Sequence, residues 1–127
     1  MSDTTTDTIR IRVRPTFHPD RSQPDRRYWF FSYTIEIANH GPQAVQLLFR
    51  RWRITDGTGR IEEVRGPGVV GQSPIIGPGD AFVYTSFCPL STPLGSMEGS
   101  YTMRRDDGTL FEAQIGAFLL EDPQSVN

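Results

Sequence analysis

The sequence predicts an all-β fold, a two-sheet antiparallel sandwich of about seven short strands. Three observations carry this prediction. Several segments alternate apolar and polar residues with the period of a half-buried strand. Clusters of Asn, Asp, Gly and Pro punctuate them at short intervals, as in sandwiches. No segment places apolar residues at helical spacing over three turns. A chain of 127 residues is the size of one domain. Eight Phe, four Tyr and two Trp supply the bulk of a core. The expected organisation is a disordered tail over 1–7, a sandwich over 8–120 and a polar tail over 121–127.

Each element has its own signal. Between Thr8 and Pro15, Ile9, Ile11 and Val13 share one face and Arg10, Arg12 and Arg14 the other. His18 to Asp25 has the composition of a surface loop. Tyr28 to Asn39 is the best core strand, with Trp29, Phe31, Tyr33, Ile35 and Ile37 on one face. Asn39-His40-Gly41-Pro42 reads as a turn. A strand from Val45 to Thr55 then turns at Asp56-Gly57-Thr58-Gly59 and returns through Arg60 to Val64, which would set Arg53 opposite Glu62 and Ile54 opposite Ile61. After a glycine-proline stretch, Ala81 to Ser86 forms a short strand. Glu98–Arg104 and Leu110–Phe118 flank Asp106-Asp107-Gly108-Thr109 as a second hairpin, with Tyr101 and Met103 near Phe111, Ala113 and Ile115.

Charge and cysteine content narrow the function. A net charge of −2 gives no overall attraction to nucleic acid or to an anionic membrane. All thirteen basic residues are Arg, which a compositional bias of the genome explains more simply than anion recognition. One cysteine cannot form an internal disulfide, and the N-terminus has neither a basic region nor a long apolar run. A cytoplasmic monomer is expected.

The most distinctive stretch is Arg65 to Gly99, which contains a G-x-G-x-x-G match at Gly66-Pro67-Gly68-Val69-Val70-Gly71. A phosphate loop of this pattern needs a helix after the last glycine. Here Gln72-Ser73-Pro74-Ile75-Ile76-Gly77-Pro78-Gly79 opposes one, and Pro67 removes a donor from any nest of N–H groups. A structural loop is favoured, and weak binding of a small anion, nucleotide or pyrophosphate by Gly66–Gly71 with Arg65 is the alternative. As a structural element, the stretch is expected to be an irregular crossover of roughly fifteen residues between the sheets, with Gly68 at positive φ.

Arg50, Arg51, Arg53, Arg60 and Arg65 crowd one hairpin, but Glu62 and Glu63 on the returning strand would neutralise part of the cluster. His18 and His40 lie in separate loops without ligand-like spacing, so neither a metal nor a cofactor is expected. Cys88 has no CxxC partner and no basic residue within ten positions, and no serine has an identifiable base. These residues predict a non-enzymatic protein.

Three pieces of the stretch resemble the signature of the ApaG family, also called CorD. They are Gly66 to Gly71 followed by Pro74; Pro78-Gly79-Asp80-Ala81-Phe82-Val83-Tyr84-Thr85-Ser86; and Cys88-Pro89-Leu90-Ser91-Thr92-Pro93 with Gly95, Met97, Glu98, Gly99 and Tyr101. Arg50-Arg51-Trp52, Thr55-Asp56 and Phe111 also fit, so the resemblance spans about Ile9 to Leu120. It implies an immunoglobulin-like sandwich of the fibronectin type III kind and no reaction. It also implies a genetic link to cobalt resistance and magnesium efflux, and occurrence in eukaryotic F-box and polymerase-delta-interacting proteins. The expected function is recognition of an unknown protein partner. Loops around Gly66–Gly79 and Cys88–Gly99 would present Val69, Val70, Leu90 and Leu94 to it.

Overall fold

The computed structural model describes residues 1–125. Nine strands occur among them: β1 (Ser2–Thr6), β2 (Ile9–Phe17), β3 (Trp29–Asn39), β4 (Val45–Asp56), β5 (Ile61–Pro67), β6 (Ile75–Ile76), β7 (Ala81–Leu90), β8 (Leu94–Arg105) and β9 (Leu110–Glu121). They form two antiparallel sheets. One runs β1-β2-β3-β7; the other runs β5-β4-β8-β9, with β6 also pairing β4. The predicted two-sheet sandwich is the observed fold, with β1 and β6 as its additional strands.

Period-two alternation builds the core. Ile9, Ile11 and Val13 of β2 and Phe31, Tyr33, Ile35 and Ile37 of β3 face Leu47, Trp52, Met97, Tyr101, Met103, Ala113 and Ile115 across the interior. Aromatic rings centre it. Tyr33 lies 5.3 Å from Trp52, and Trp52 meets Phe118 edge-on at 6.0 Å. The hydroxyls of Tyr84 and Tyr101 hydrogen-bond to each other across the two sheets, meeting the need of two polar groups in an apolar layer.

Four expectations are corrected. The segment 1–7 is not a loose tail. Ser2–Thr6 pairs with Ile9–Val13, and Thr6 Oγ1 accepts a bond of 3.0 Å from the Gln114 N–H of β9, so tertiary pairing orders residues with no apolar content. The tail predicted over 121–127 is held as far as Ser125. Glu121 completes β9, and Asp122 is buried, accepting from Trp29 Nε1 and from the Ser125 hydroxyl; Val126 and Asn127 lie outside the described residues. The first hairpin is shifted by one residue, with Arg53 opposite Glu63 and Ile54 opposite Glu62. Its turn contains three residues rather than two, because Asp56 N–H bonds to Arg60 O and Gly59 takes the left-handed position at φ +87°.

The fourth correction concerns the crossover. Instead of some fifteen irregular residues, the chain stays beside β4 from Ile61 through Ile76 and changes sheet only over Gly77–Asp80. Asn39 fastens this crossing from inside the protein. Its side-chain amide donates to the carbonyls of Gln43 (2.8 Å) and Ile76 (2.9 Å), and its Oδ1 accepts from Gly41 N–H. Its backbone bonds to Asp80 and Gly79.

Candidate functional site

The G-x-G-x-x-G residues form a braced hairpin on the edge of the second sheet. β5 leaves β4 at the Phe49–Pro67 pair, and β6 takes its place at Val45 and Gln46. Between them the chain reverses at Val69-Val70-Gly71-Gln72. Val69 and Gln72 exchange two backbone bonds of 2.8 Å, and both central residues have positive φ: Val70 at +44° and Gly71 at +78°. Two-residue hairpins of the primed kind require this geometry, and Asn-Gly is their ordinary occupant. A β-branched residue there is strained by about 1–3 kcal/mol.

Tertiary contacts hold that strain in place. Val69 is 1% exposed and anchors the turn in the core. The β4–β5 register continues one step past the Phe49–Pro67 pair, where the Leu48 carbonyl accepts from Gly68 N–H at 2.9 Å. The Arg50 guanidinium lies across Gly66 and donates from Nη1 to the carbonyls of Pro67 (2.9 Å) and Gly68 (3.0 Å). Gly68 itself is constrained twice, by φ of +61° and by the Gln72 carbonyl oxygen, which would sit 2.2 Å from an added Cβ.

The predicted site residues do not form one surface. Leu90, like Val69, is core, at 7% exposure, so neither side chain is available to a partner. Val70 (51%) and Leu94 (37%) are exposed, but at opposite ends of the second sheet. Val70 follows the Phe49–Pro67 pair, and Leu94 adjoins the Asp56–Gly95 pair. From Phe49 to Asp56 the strand rises roughly 23 Å at ~3.3 Å per residue. Loops 66–79 and 88–99 therefore cannot clasp a small ligand between them. The Val70 end instead gathers exposed apolar side chains at Phe49 and Ile75. The irregularity between Leu47 and Phe49 reverses the alternation of β4, so that Val45, Leu47 and Trp52 are buried while Phe49 is exposed.

The hairpin arginines are divided among acids and carbonyls. Glu63 lies 3.7 Å from Arg51, 3.9 Å from Arg53 and 3.6 Å from Arg65. Glu98 and Glu112 line the same groove as Arg51 and Arg53, so this face carries both signs. These are exposed, loosely spaced pairs and contribute little to stability.

Cys88 is buried, and burial pushes its thiol up to about 12, far from the range of an activated nucleophile. His18 Nε2 lies 2.7 Å from Ser32 Oγ and its ring packs edge-on against Phe30. Among the described residues no three His, Cys, Asp or Glu side chains gather as a metal site, and no helix is long and apolar enough to cross a membrane. A groove of about 720 Å³ runs between Phe17, Phe31 and Phe118, with Glu121 on its lining.

Fold and site together define a class: a two-sheet antiparallel sandwich whose most distinctive residues brace a strained glycine-proline hairpin at one end. The model of the ApaG domain matches residues 19–105, and the chain belongs to the ApaG family. Protein ApaG of Methylobacterium sp. (strain 4-46) is 55% identical over 115 residues, covering 91% of this chain and 88% of that protein. Protein ApaG of Anaeromyxobacter dehalogenans is 54% identical over 127 residues, the whole of both chains. Among solved structures, the putative ApaA protein from Bordetella pertussis is similar with a TM-score of 0.89 and 45% identity, over 91% of this chain and 94% of that one.

Proposed function

We propose that the chain is a non-enzymatic recognition module that docks a protein partner at the end of the second sheet where Val70 projects. One observation carries this: a β-branched side chain is held half exposed at positive φ, where Asn or Gly would be relaxed. Strain that local sequence could have relieved marks a position kept for its side chain. Exposed Phe49 and Ile75 extend the apolar surface beside it. The rigid turn lowers the ordering cost of binding.

The anion alternative has less support. Gly68, Val69 and Gln72 N–H are bonded within the protein, Pro67 has none, and Arg65 faces Glu63. Only the successive amides of Val70 and Gly71 remain for a ligand. The cobalt and magnesium link implied by the family resemblance adds a third candidate, metal handling, with no residue cluster behind it among the described residues.

Affinity capture on the immobilised protein tests the proposal. Val70→Asp should lose the partner while its circular dichroism is unchanged, and Val70→Ile should keep it. Unchanged capture by Val70→Asp would remove this surface from consideration. Calorimetry with ATP, pyrophosphate and Co²⁺ should give no heat; a saturable ATP signal that is lost in Val70→Asp, whose carboxylate would repel the anion, would favour the anion loop instead.

A further inference from the structure

The outer edge of β7 is an open backbone ladder, unlike the other three sheet edges. β1 and β9 lean on each other: Thr6 Oγ1 accepts from Gln114 N–H, and Thr4 packs against Gly116. β5 carries Glu62, Glu63 and Arg65 and ends in Gly66-Pro67, the charges and proline by which edge strands resist pairing. β7 runs ten residues, Ala-Phe-Val-Tyr-Thr-Ser-Phe-Cys-Pro-Leu, without a charge or an irregularity in its register.

Hydrogen-bond parity shows which groups this edge offers. Asn39 N–H bonds to Asp80 O, so in the register that follows the even-numbered residues of β7 bond to β3. The N–H and C=O groups of Ala81, Val83, Thr85 and Phe87 point away from the sheet, and none of these amides has a hydrogen-bond partner among the described residues. Pro89 falls on the same side, where its missing N–H costs β3 nothing. The side chains of these five residues are exposed on the outer face. Val83 and Phe87 are both more than half exposed.

We infer that β7 pairs antiparallel with β7 of a second copy of this chain, about a two-fold axis at Thr85. The edge is self-complementary in this register. Thr85 meets Thr85 of the second copy, and Val83 meets Phe87, each pair exchanging two bonds. Ala81 N–H donates to the Pro89 carbonyl of the second copy, while the Ala81 carbonyl, opposite the missing Pro89 N–H at the end of the paired segment, is left to water. Every outward N–H of the strand is thereby satisfied. On the outer face Val83 and Phe87 form apolar cross-strand pairs flanking the axis. No charge on either strand opposes the approach. Two four-stranded sheets become one continuous sheet, in place of the monomer expected from sequence. This surface is separate from Val70 and stands independently of the partner proposed for it.

Sedimentation of the wild-type chain and of charge variants at the axis tests this. The wild type should be a dimer at micromolar to millimolar concentration. Thr85→Lys and Thr85→Glu, which place like charges directly opposite each other, should each sediment as a monomer with an unchanged circular-dichroism spectrum. Mixed in equal amounts they should return the dimer. In the unmodified protein, amide exchange at Ala81, Val83, Thr85 and Phe87 should slow as concentration rises, with little change at the even-numbered positions. A wild type that stays monomeric at millimolar concentration would overturn the inference and leave the edge to an extended segment of another protein. So would a dimer that survives in both variants, or exchange at the four amides that ignores concentration.

Discussion

Two turns reverse the chain beside β4, and they are held in opposite ways. At Asp56–Arg60 the bracing is mainly local, with one bond from outside the turn, Gly57 N–H to Thr92 Oγ1 at 2.9 Å. Asp56 Oδ1 accepts from the N–H (2.9 Å) and hydroxyl (2.6 Å) of Thr58, and Gly59 takes the left-handed position. The Arg105–Thr109 turn repeats the scheme, with Asp107, Gly108 and Thr109 in the same roles. At Val69–Gln72 the local sequence is unfavourable. That turn persists because Val69 is buried, Arg50 caps two carbonyls and Leu48 receives Gly68. A turn that stores strain needs a scaffold; one that encodes its own geometry does not.

The largest test of this contrast is Gly68→Ala. The new Cβ would meet the Gln72 carbonyl at 2.2 Å in a residue at φ +61°, and stability should fall by about 3 kcal/mol. A lower denaturant midpoint at unchanged slope would show it. A midpoint equal to wild type would mean that the hairpin is not held as described. Arg50→Ala comes next. Loss of a charged donor to two carbonyls should cost about 2 kcal/mol, with faster amide exchange at Gly68 and Val69 and none of this at Thr58.

Val70→Asn should work in the other direction. It creates the Asn-Gly pair that a primed turn favours and should stabilise by about 1 kcal/mol. Thermal unfolding reads the gain, and if Val70 carries recognition, capture should weaken in the same variant. A stabilised variant that binds as before would separate the strain from function.

The smallest effect is a titration. The Thr58 hydroxyl holds the Asp56 carboxyl below the ordinary carboxylate range, and the Thr109 hydroxyl does the same for Asp107. A depressed folded pKa contributes stability above the unfolded value, and this is lost as pH falls through the folded one. Carboxyl chemical shifts should place both groups low. Thr58→Ala should raise Asp56 toward its ordinary value and leave Asp107 where it is.

Where local chemistry was sufficient, sequence alone was a reliable guide. The alternation of Ile9, Ile11 and Val13, the apolar face of β3 and the presence of the two Asp-Gly hairpins, though not the register of the first, follow from side-chain period and turn preference, and they determine the two-sheet sandwich. Tertiary structure decided the rest. Ser2–Thr6 is a strand because the β2 edge is there to pair with it, and Asp122 is buried because Trp29 offers it a donor. Val69 is core while Val70 is exposed because of the direction in which the turn points each residue, and Leu90 is core because β7 runs on past Ser86 and its alternation carries Leu90 inward with Tyr84 and Cys88. The crossing is short because Asn39 meets it from a strand some forty residues earlier in the chain. Periodicity reports how a segment alternates, whereas the partner of a buried amide or the vacancy beside an edge strand depends on residues distant in sequence, and only the folded chain brings those together.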